Sequence, residues 1–149
     1  MLAKDIMTKE VIKVHKDEVV ENVIKLLLEK DISGVPVVDD EGMLVGIVSE
    51  GDLIYKSKKF HFPLYFTILD SYIFLEKPKM IEEQVSKMTA YKVESMMSTE
   101  VHSAREDDTV EDIATIMNEK GVNRVPVVDE SGKVVGIVTR KDIIKSYNM

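Results

Sequence analysis

The sequence predicts an α/β (α+β) protein made of two pseudo-symmetric β-α-β-β-α repeats that pack sheet to sheet, with a helical insertion between them. The first observation is internal duplication: GVPVVDDEGMLVGIVSEGDLI at 34–54 returns as RVPVVDESGKVVGIVTRKDII at 124–144. Residues 3–54 align with 93–144 without a gap at a constant offset of 90, and 20 of the 52 positions are identical. The second is that each copy places β-branched runs on both sides of an amphipathic stretch. One copy of about 50 residues buries too little surface alone, so we expect the copies to pack together.

The first half of each copy predicts a short strand followed by a helix. The strands are Val11–Val14 and Val101–Arg105, and the first helix covers roughly 18–30. The apolar helix faces consist of Val19, Val20, Val23, Leu26 and Leu27 in the first copy and Val110, Ile113, Ile116 and Met117 in the second. Because Asp17 and Asp107 lie just before these helices, we expect their carboxylates to cap free backbone N–H groups.

The second half of each copy predicts a hairpin and a second helix. The first hairpin has strands over Val35–Val38 and Leu44–Val48, and Gly42 and Gly132 supply the positive φ that such turns need. A helix follows from about Ser49 or Thr139. The predicted domains are a first repeat at 1–54, an insertion at 55–91 and a second repeat at 92–149.

The insertion differs in composition from the repeats, because residues 55–91 hold eight of the nine aromatic residues. Leu64–Glu76 and Ile81–Ala90 are predicted helices. Three roles stay open: helices that cover a sheet edge or groove, a homodimer or partner surface, and a helix on a membrane surface.

The composition limits the classes of protein. The 149 residues are 44% hydrophobic and 32% charged, which suits a globular chain. A net charge of −7 disfavours nucleic acid as a partner, and the absence of cysteine fits a reducing compartment. The N-terminus lacks an apolar signal region, and no run of about 18 apolar residues could span a bilayer. We expect a soluble cytoplasmic protein.

The repeated motifs resemble a known family. DIMT (SMMS), GVPVVD (RVPVVD) and GIVSEGDL (GIVTRKDI) are similar to the cystathionine-β-synthase-type (CBS) domain, and two such copies resemble a Bateman module. The resemblance covers residues 1–54 and 92–147. It implies a regulatory module that binds an adenosine-containing ligand such as AMP, ADP, ATP or S-adenosylmethionine. It also implies a homodimer formed through helical faces and an unknown regulated protein.

Two hydroxyl–carboxylate pairs carry the sharpest chemistry, Ser49 with Asp52 and Thr139 with Asp142. A carboxylate can accept hydrogen bonds from the 2′- and 3′-hydroxyls of a ribose, and a helix N-terminus there favours anions. The same spacing is close to a capping box, so a purely structural role stays open beside the ribose role. Within the family resemblance these positions match the ribose-binding motif.

The pre-proline bends form a second candidate cluster. The resemblance implies phosphate contacts from Asn123 and Arg124, with Arg140 close by, and arginine suits phosphate oxygens. Surface ion pairs of the two arginines are the alternative. The equivalent positions in the first copy are Gly34 and Glu50, and Glu50 would repel a phosphate, so the sequence predicts unequal sites with the better phosphate site at Asp142.

The resemblance further implies that each site joins residues of both copies. The first site combines Asp142, Thr139, Arg140, Arg124 and Asn123 with Thr8, Val11, Ile12, Ser33 and Gly34, and the second combines Asp52 and Ser49 with Ser98, Val101, His102 and Asn123. His102 could stack on or bond to a ligand, although a lone surface histidine is commonly inert.

Several kinds of site find no support. The sequence has no glycine-rich dinucleotide or P-loop motif, no paired histidine spacing for zinc and no calcium-loop pattern. We therefore expect no catalytic residues, no resident metal and no required cofactor, with Mg²⁺ entering only alongside a nucleotide. The alternative function is a protein-interaction module with vestigial clefts, acting through 55–91.

Overall fold

The computed structural model describes residues 1–59 and 91–149, and these form two three-stranded sheets with helices. The first sheet has the order β1-β2-β3 and the second β4-β5-β6. The strands are β1 Val14–His15, β2 Gly34–Val38, β3 Leu44–Ser49, β4 Ala104–Arg105, β5 Arg124–Val128 and β6 Val134–Thr139. The helices are α1 Ala3–Ile6, α2 Val20–Lys30, α3 Glu50–Lys59, α4 Val110–Lys120 and α5 Arg140–Ser146. The predicted α+β class and the β-α-β-β-α order are confirmed.

Some predicted boundaries change. The opening strands are two residues long, β1 and β4, whereas the sequence predicted strands beginning at Val11 and Val101. Val11 packs instead against Val38, Val128 and Val134, so its apolar character reflects side-chain packing without strand pairing. The predicted helices Leu64–Glu76 and Ile81–Ala90 lie outside the described residues, and the predicted domain boundaries stay predictions.

The prediction that Asp17 and Asp107 cap the central helices is wrong. Helix α4 is capped by Thr109, whose hydroxyl accepts a hydrogen bond from the Asp112 N–H at 3.1 Å. Helix α2 has Val19 at the equivalent position and no side-chain cap. The two aspartates bind lysines instead: Asp107 lies 3.0 Å from Lys4 and Asp17 lies 3.5 Å from Lys92. The hydrogen bond and charge of Asp107 raise the pKa of Lys4.

The compact units of the structure differ from the sequence repeats. The first-repeat unit contains Lys13–Val37 and Val45–Thr99, and the second-repeat unit contains Met1–Ile12, Val38–Leu44 and Glu100–Met149. The segment that opens each repeat therefore belongs to the unit of the other repeat. Sequence alignment of the copies cannot reveal this exchange, since it compares positions and carries no information on contacts.

Paired backbone hydrogen bonds fix the exchange. In the second-repeat unit the Ala3 N–H donates to the Asp108 carbonyl at 2.8 Å, and the Val110 N–H donates to the Met1 carbonyl at 3.1 Å. In the first-repeat unit the bonds recur 90 residues away: the Val93 N–H reaches the Glu18 carbonyl at 2.7 Å, and the Val20 N–H reaches the Tyr91 carbonyl at 3.0 Å. Each opening segment thus satisfies N–H and C=O groups at the start of a central helix.

Each unit has an apolar core at equivalent positions. The second-repeat core contains Ala3, Ala104, Val110, Ile113, Met117, Val125, Val127, Val138 and Ile143. Their counterparts in the first-repeat unit, which are all buried, are Val93, Val14, Val20, Val23, Leu27, Val35, Val37, Val48 and Leu53. Burial follows the helical and alternating periods of the sequence, which is why the repeat pattern predicts these faces.

The hairpin turns agree with the prediction. Gly42 has φ of 80° and Gly132 has φ of 96°, values that favour glycine. Asp129 supports the second turn, because its carboxylate accepts from the Ser131 N–H and hydroxyl and from the Lys133 N–H. These hydrogen bonds, led by that of the Ser131 hydroxyl, lower the pKa of Asp129.

Candidate functional site

A hydroxyl–carboxylate pair lies where β6 passes into α5. The Thr139 hydroxyl accepts a hydrogen bond from the Asp142 N–H at 3.3 Å. In return, Oδ2 of Asp142 accepts from the Thr139 N–H at 2.9 Å and from the Thr139 hydroxyl at 3.0 Å. This is a capping box, so the structural role that the sequence left open is present.

The second carboxylate oxygen of Asp142 is differently placed. Within the described residues, no group donates a hydrogen bond to Oδ1 of Asp142. The residue is half-buried. A carboxylate has two acceptor oxygens, so Asp142 can cap α5 through Oδ2 and still offer Oδ1 to a hydroxyl of a ligand. The capping role and the ribose role are therefore compatible in one side chain.

Several predicted residues lie close to this pair in the second-repeat unit. Arg124 opens β5 directly opposite Thr139 in the antiparallel register. The Asn123 carbonyl accepts from the Arg140 N–H at 3.1 Å, which joins the pre-proline bend to the start of α5. Thr8 exchanges two backbone hydrogen bonds with Ile137, at 2.9 and 3.0 Å, two residues before Thr139. The structure thus brings Thr8, Asn123, Arg124, Thr139 and Asp142 to one end of β6.

Other residues predicted for this site are placed differently. Val11 contacts the apolar cluster around Val134, at the opposite end of β6, and Ile12 next to it is half-buried. Arg140 is exposed and lines a cavity of about 300 Å³ between α4 and α5. Ser33 and Gly34 belong to the first-repeat unit, so their predicted part in the Asp142 site stays a prediction.

The first-repeat unit repeats the same capping geometry. Oδ2 of Asp52 accepts from the Ser49 N–H at 3.0 Å and from the Ser49 hydroxyl at 3.1 Å. The Ser33 carbonyl accepts from the Glu50 N–H at 2.9 Å, as Asn123 does from Arg140. Gly34 is buried at the start of β2.

The Ser49–Asp52 pair differs from the Thr139–Asp142 pair at one carboxylate oxygen, Oδ1. The Ser98 hydroxyl donates a hydrogen bond of 2.6 Å to Oδ1 of Asp52. The sequence predicted Ser98 as a ligand contact and did not predict this bond, since the two residues are 46 positions apart. Val101 and His102, which are half-buried, belong to the second-repeat unit with Asn123, so their predicted part in the Asp52 site stays a prediction.

The charges around the two carboxylates differ as the sequence predicts. The pre-proline bend and the first helical position carry Arg124 and Arg140 in the second copy, and Gly34 and Glu50 in the first. The Asp142 pair therefore has two cationic side chains on adjoining elements, whereas the Asp52 pair has an additional anionic one.

Sequence reasoning missed the residues that hold Thr8 and Ser98 in place. A Cβ atom on Gly136 would overlap the Met7 side chain, and one on Gly46 would lie 2.5 Å from the sulfur of Met97, which is too close for a real contact. Each methionine therefore packs on a strand that must carry glycine. The recurrence of both residues in both copies was the available signal.

The described residues show neither a metal cluster nor a membrane helix. Within 1–59 and 91–149 there is no group of three or more His, Asp or Glu side chains that could hold a metal ion. In the same ranges no helix has the length and apolar character to cross a membrane.

Comparison with known proteins identifies the family. The family model described as CBS domain matches residues 3–59 and 93–148, so it covers both repeats. This chain belongs to the CBS domain family. Because the domain occurs twice, the chain is a tandem CBS pair, or Bateman module, as the motifs predicted.

One curated relative matches along most of its length, and others are much longer than this chain. The chain is 35% identical over 153 residues to the uncharacterized protein MJ1426 of Methanocaldococcus jannaschii, and the match covers 98% of this chain and 90% of that protein. The chain spans only 23% to 54% of the length of three further curated relatives.

Two solved CBS pairs have the same fold and hold adenosine compounds. The CBS domain pair of protein MJ0100, in complex with 5′-methylthioadenosine and S-adenosyl-L-methionine, has a TM-score of 0.71 and 30% identity, and the match covers 99% of this chain and 96% of that one. CBSX2 in complex with AMP has a TM-score of 0.74 and 28% identity, over 99% of this chain and 96% of that one.

Proposed function

We propose that this CBS pair is a regulatory module that binds an adenosine-containing ligand at the Asp142 site and signals to a protein partner. The observation that carries this proposal is Oδ1 of Asp142, an acceptor held in place by the capping box and given no hydrogen bond by the described residues. A ribose diol supplies the hydroxyl donors that such an oxygen accepts. The ligands of the two similar CBS pairs all contain a ribose.

The surrounding charge favours a nucleotide with a phosphate. Arg124 stands opposite Thr139, and its guanidinium can hold phosphate oxygens with two parallel hydrogen bonds. Asn123 adds amide hydrogen-bonding groups on the same bend. AMP, ADP and ATP are therefore the first candidates, with S-adenosylmethionine as the alternative without phosphate. Mg²⁺ would arrive with a polyphosphate.

Regulation would follow from differential binding. A ligand shifts a conformational equilibrium only by the difference in its affinity for the two states. The module needs no catalytic residue for this role, and we propose that it is not an enzyme. We also propose that the regulated partner is a protein and that the module acts in the cytoplasm.

The α4–α5 face supports a second part of the proposal, a homodimer. Ile144 and Tyr147 are 66% and 77% exposed, and they line the cavity of about 300 Å³ together with Met117. A cluster of exposed apolar side chains on one face is typical of an interface. We propose that this face pairs with a second copy, in which case Ile144→Asp converts a dimer to a monomer in light scattering; a wild-type chain that is monomeric at tens of micromolar contradicts it.

Calorimetry with matched variants tests the ligand site. We expect the wild type to bind AMP, and Asp142→Asn to weaken binding by about tenfold or more, since the amide keeps an oxygen for the Thr139 cap and removes the anionic acceptor. 2′-Deoxy-AMP should bind more weakly than AMP to the wild type. Asp52→Asn, the same change in the other copy, is the control and should affect AMP binding less.

Two results would contradict the ligand proposal. The first is absence of heat with AMP, ADP, ATP and S-adenosylmethionine at millimolar concentrations. The second is equal affinity of the wild type and Asp142→Asn for AMP. Deletion of 57–88 with retained binding and lost assembly would favour the alternative role for the insertion, as a surface for a protein partner.

A further inference from the structure

Asp52 and Asp142 differ at Oδ1, the carboxylate oxygen that takes no part in the cap. Oδ1 of Asp52 accepts the Ser98 hydroxyl at 2.6 Å, a short hydrogen bond to a charged acceptor. Oδ1 of Asp142 receives no hydrogen bond from the described residues. The capping distances at Oδ2 are otherwise within 0.1 Å of each other in the two copies.

The backbone that carries the hydroxyl is the same in both copies. Ser98 exchanges backbone hydrogen bonds of 2.8 and 3.0 Å with Ile47 on the edge of β3. Thr8, its counterpart, exchanges bonds of 2.9 and 3.0 Å with Ile137 on the edge of β6. The difference therefore lies in the side chain: serine can adopt all three staggered χ1 rotamers, whereas the β-branched threonine is more restricted.

We propose that Ser98 is a specificity-determining residue that occupies, with its own hydroxyl, the position that a ribose hydroxyl would take on Asp52. The proposal rests on the proposed function of these carboxylates. The Ser98 hydroxyl competes with a ligand hydroxyl for Oδ1 of Asp52, whereas the described residues place no such competitor on Oδ1 of Asp142. The Asp52 site is thus the weaker site of the pair.

Charge selects a different ligand class for the weaker site. Glu50 follows Ser49 at the first position of α3, and Gly34 stands where the other copy has Arg124. An anionic phosphate gains no cationic partner from these positions and meets a like charge. The Asp52 site therefore takes a nucleoside without a phosphate, such as adenosine, and the Asp142 site takes the nucleotide.

Site-resolved NMR on the full chain tests the proposal. The amide N–H groups of Ser49 and Thr139 bond to the two carboxylates, so their shifts report each site separately during titration with adenosine or AMP. We expect Ser98→Ala to strengthen adenosine binding at the Ser49 amide by about tenfold, with the affinity at Thr139 unchanged. Ser95→Ala, the same substitution on an exposed serine of the same segment, should change neither.

The reciprocal variant adds an independent measurement. Thr8→Ser keeps the hydroxyl and removes the β-branch that restricts χ1, so the hydroxyl can turn toward Asp142 and should weaken binding at Thr139 several-fold. Unchanged or weaker adenosine binding at Ser49 in Ser98→Ala would overturn the proposal, because Ser98 would then be a ligand contact. Unchanged binding at Thr139 in Thr8→Ser would overturn it as well. If neither ligand shifts either amide in the wild type, the proposed function fails with it, a result distinct from the other two.

Discussion

Asp142 shows how one side chain can serve a fold and a ligand. Its Oδ2 belongs to the capping box that begins α5, and its Oδ1 remains an acceptor. A change to alanine would therefore remove both, and loss of binding in that variant would not separate the two roles. Asparagine separates them because it keeps one oxygen for the cap.

The central helices show a side-chain cap that only one copy has. The Thr109 hydroxyl caps α4 through the Asp112 N–H, whereas the side chain of the equivalent Val19 cannot accept a hydrogen bond from α2. The sequence pointed to the neighbouring aspartates because carboxylates are common caps. These aspartates instead form ion pairs with lysines of the exchanged segments, which come close to them only when the chain folds.

We predict that Thr109→Ala lowers the free energy of unfolding by about 1 kcal/mol, because the Asp112 N–H loses its acceptor. Thr115→Ala is the control: it makes the same substitution at an exposed position of α4, and alanine is the better helix former. Urea denaturation followed by circular dichroism gives both values. Equal effects of the two substitutions would contradict a capping role for Thr109.

At the scale of elements, the packing of α1 on β6 depends on the absence of a side chain. Met7 follows α1 and fills the space above Gly136, and Met97 and Gly46 repeat the arrangement in the other copy. The glycines are therefore required by contact with a distant residue, and neither has a positive φ. The duplicated glycines and methionines were visible in the sequence, but their contact was not.

We predict that Gly136→Ala destabilises the protein by about 1–3 kcal/mol, because the new methyl group overlaps the Met7 side chain. Combining it with Met7→Ala should recover part of this loss in a double-mutant cycle. Gly51→Ala is the control, since the nearest atom to its Cβ is 3.6 Å away. Thermal or urea denaturation measures the wild type, Gly136→Ala, Met7→Ala, the double variant and Gly51→Ala. Additive effects of the Gly136 and Met7 substitutions would exclude the contact.

At the scale of the whole molecule, the exchange of opening segments makes each repeat depend on the other. Ala3 lies in the first repeat by sequence but is buried in the core of the second-repeat unit. Conversely, Val93 lies in the second repeat by sequence but is buried in the first-repeat unit. The exchange also brings Thr8 to Ile137 and Ser98 to Asp52, so each candidate site needs both copies.

We predict that Ala3→Asp reduces hydrogen-exchange protection mainly in β5, β6 and α4, because an unpaired charge is costly in that core. All three elements lie more than 100 positions from residue 3. Val93→Asp should instead reduce protection mainly in α2 and β2. Mass spectrometry of exchanged peptides distinguishes the two patterns. Loss of protection confined to 13–37 in Ala3→Asp would show that the exchange is wrong.

Much of this protein could be predicted from its residues because the information is local or repeated. The 90-residue duplication, the helical and alternating periods, the turn glycines and the hydroxyl–carboxylate pairs all lie within short stretches, and they predicted the elements, the CBS family and the two candidate sites. Periodicity predicts which face of an element is buried, but it does not predict the element against which that face packs. The partner of each opening segment, the lysines bound by Asp17 and Asp107, and the hydrogen bond between Ser98 and Asp52 depend on residues far apart in the chain, so only the packed structure decided them.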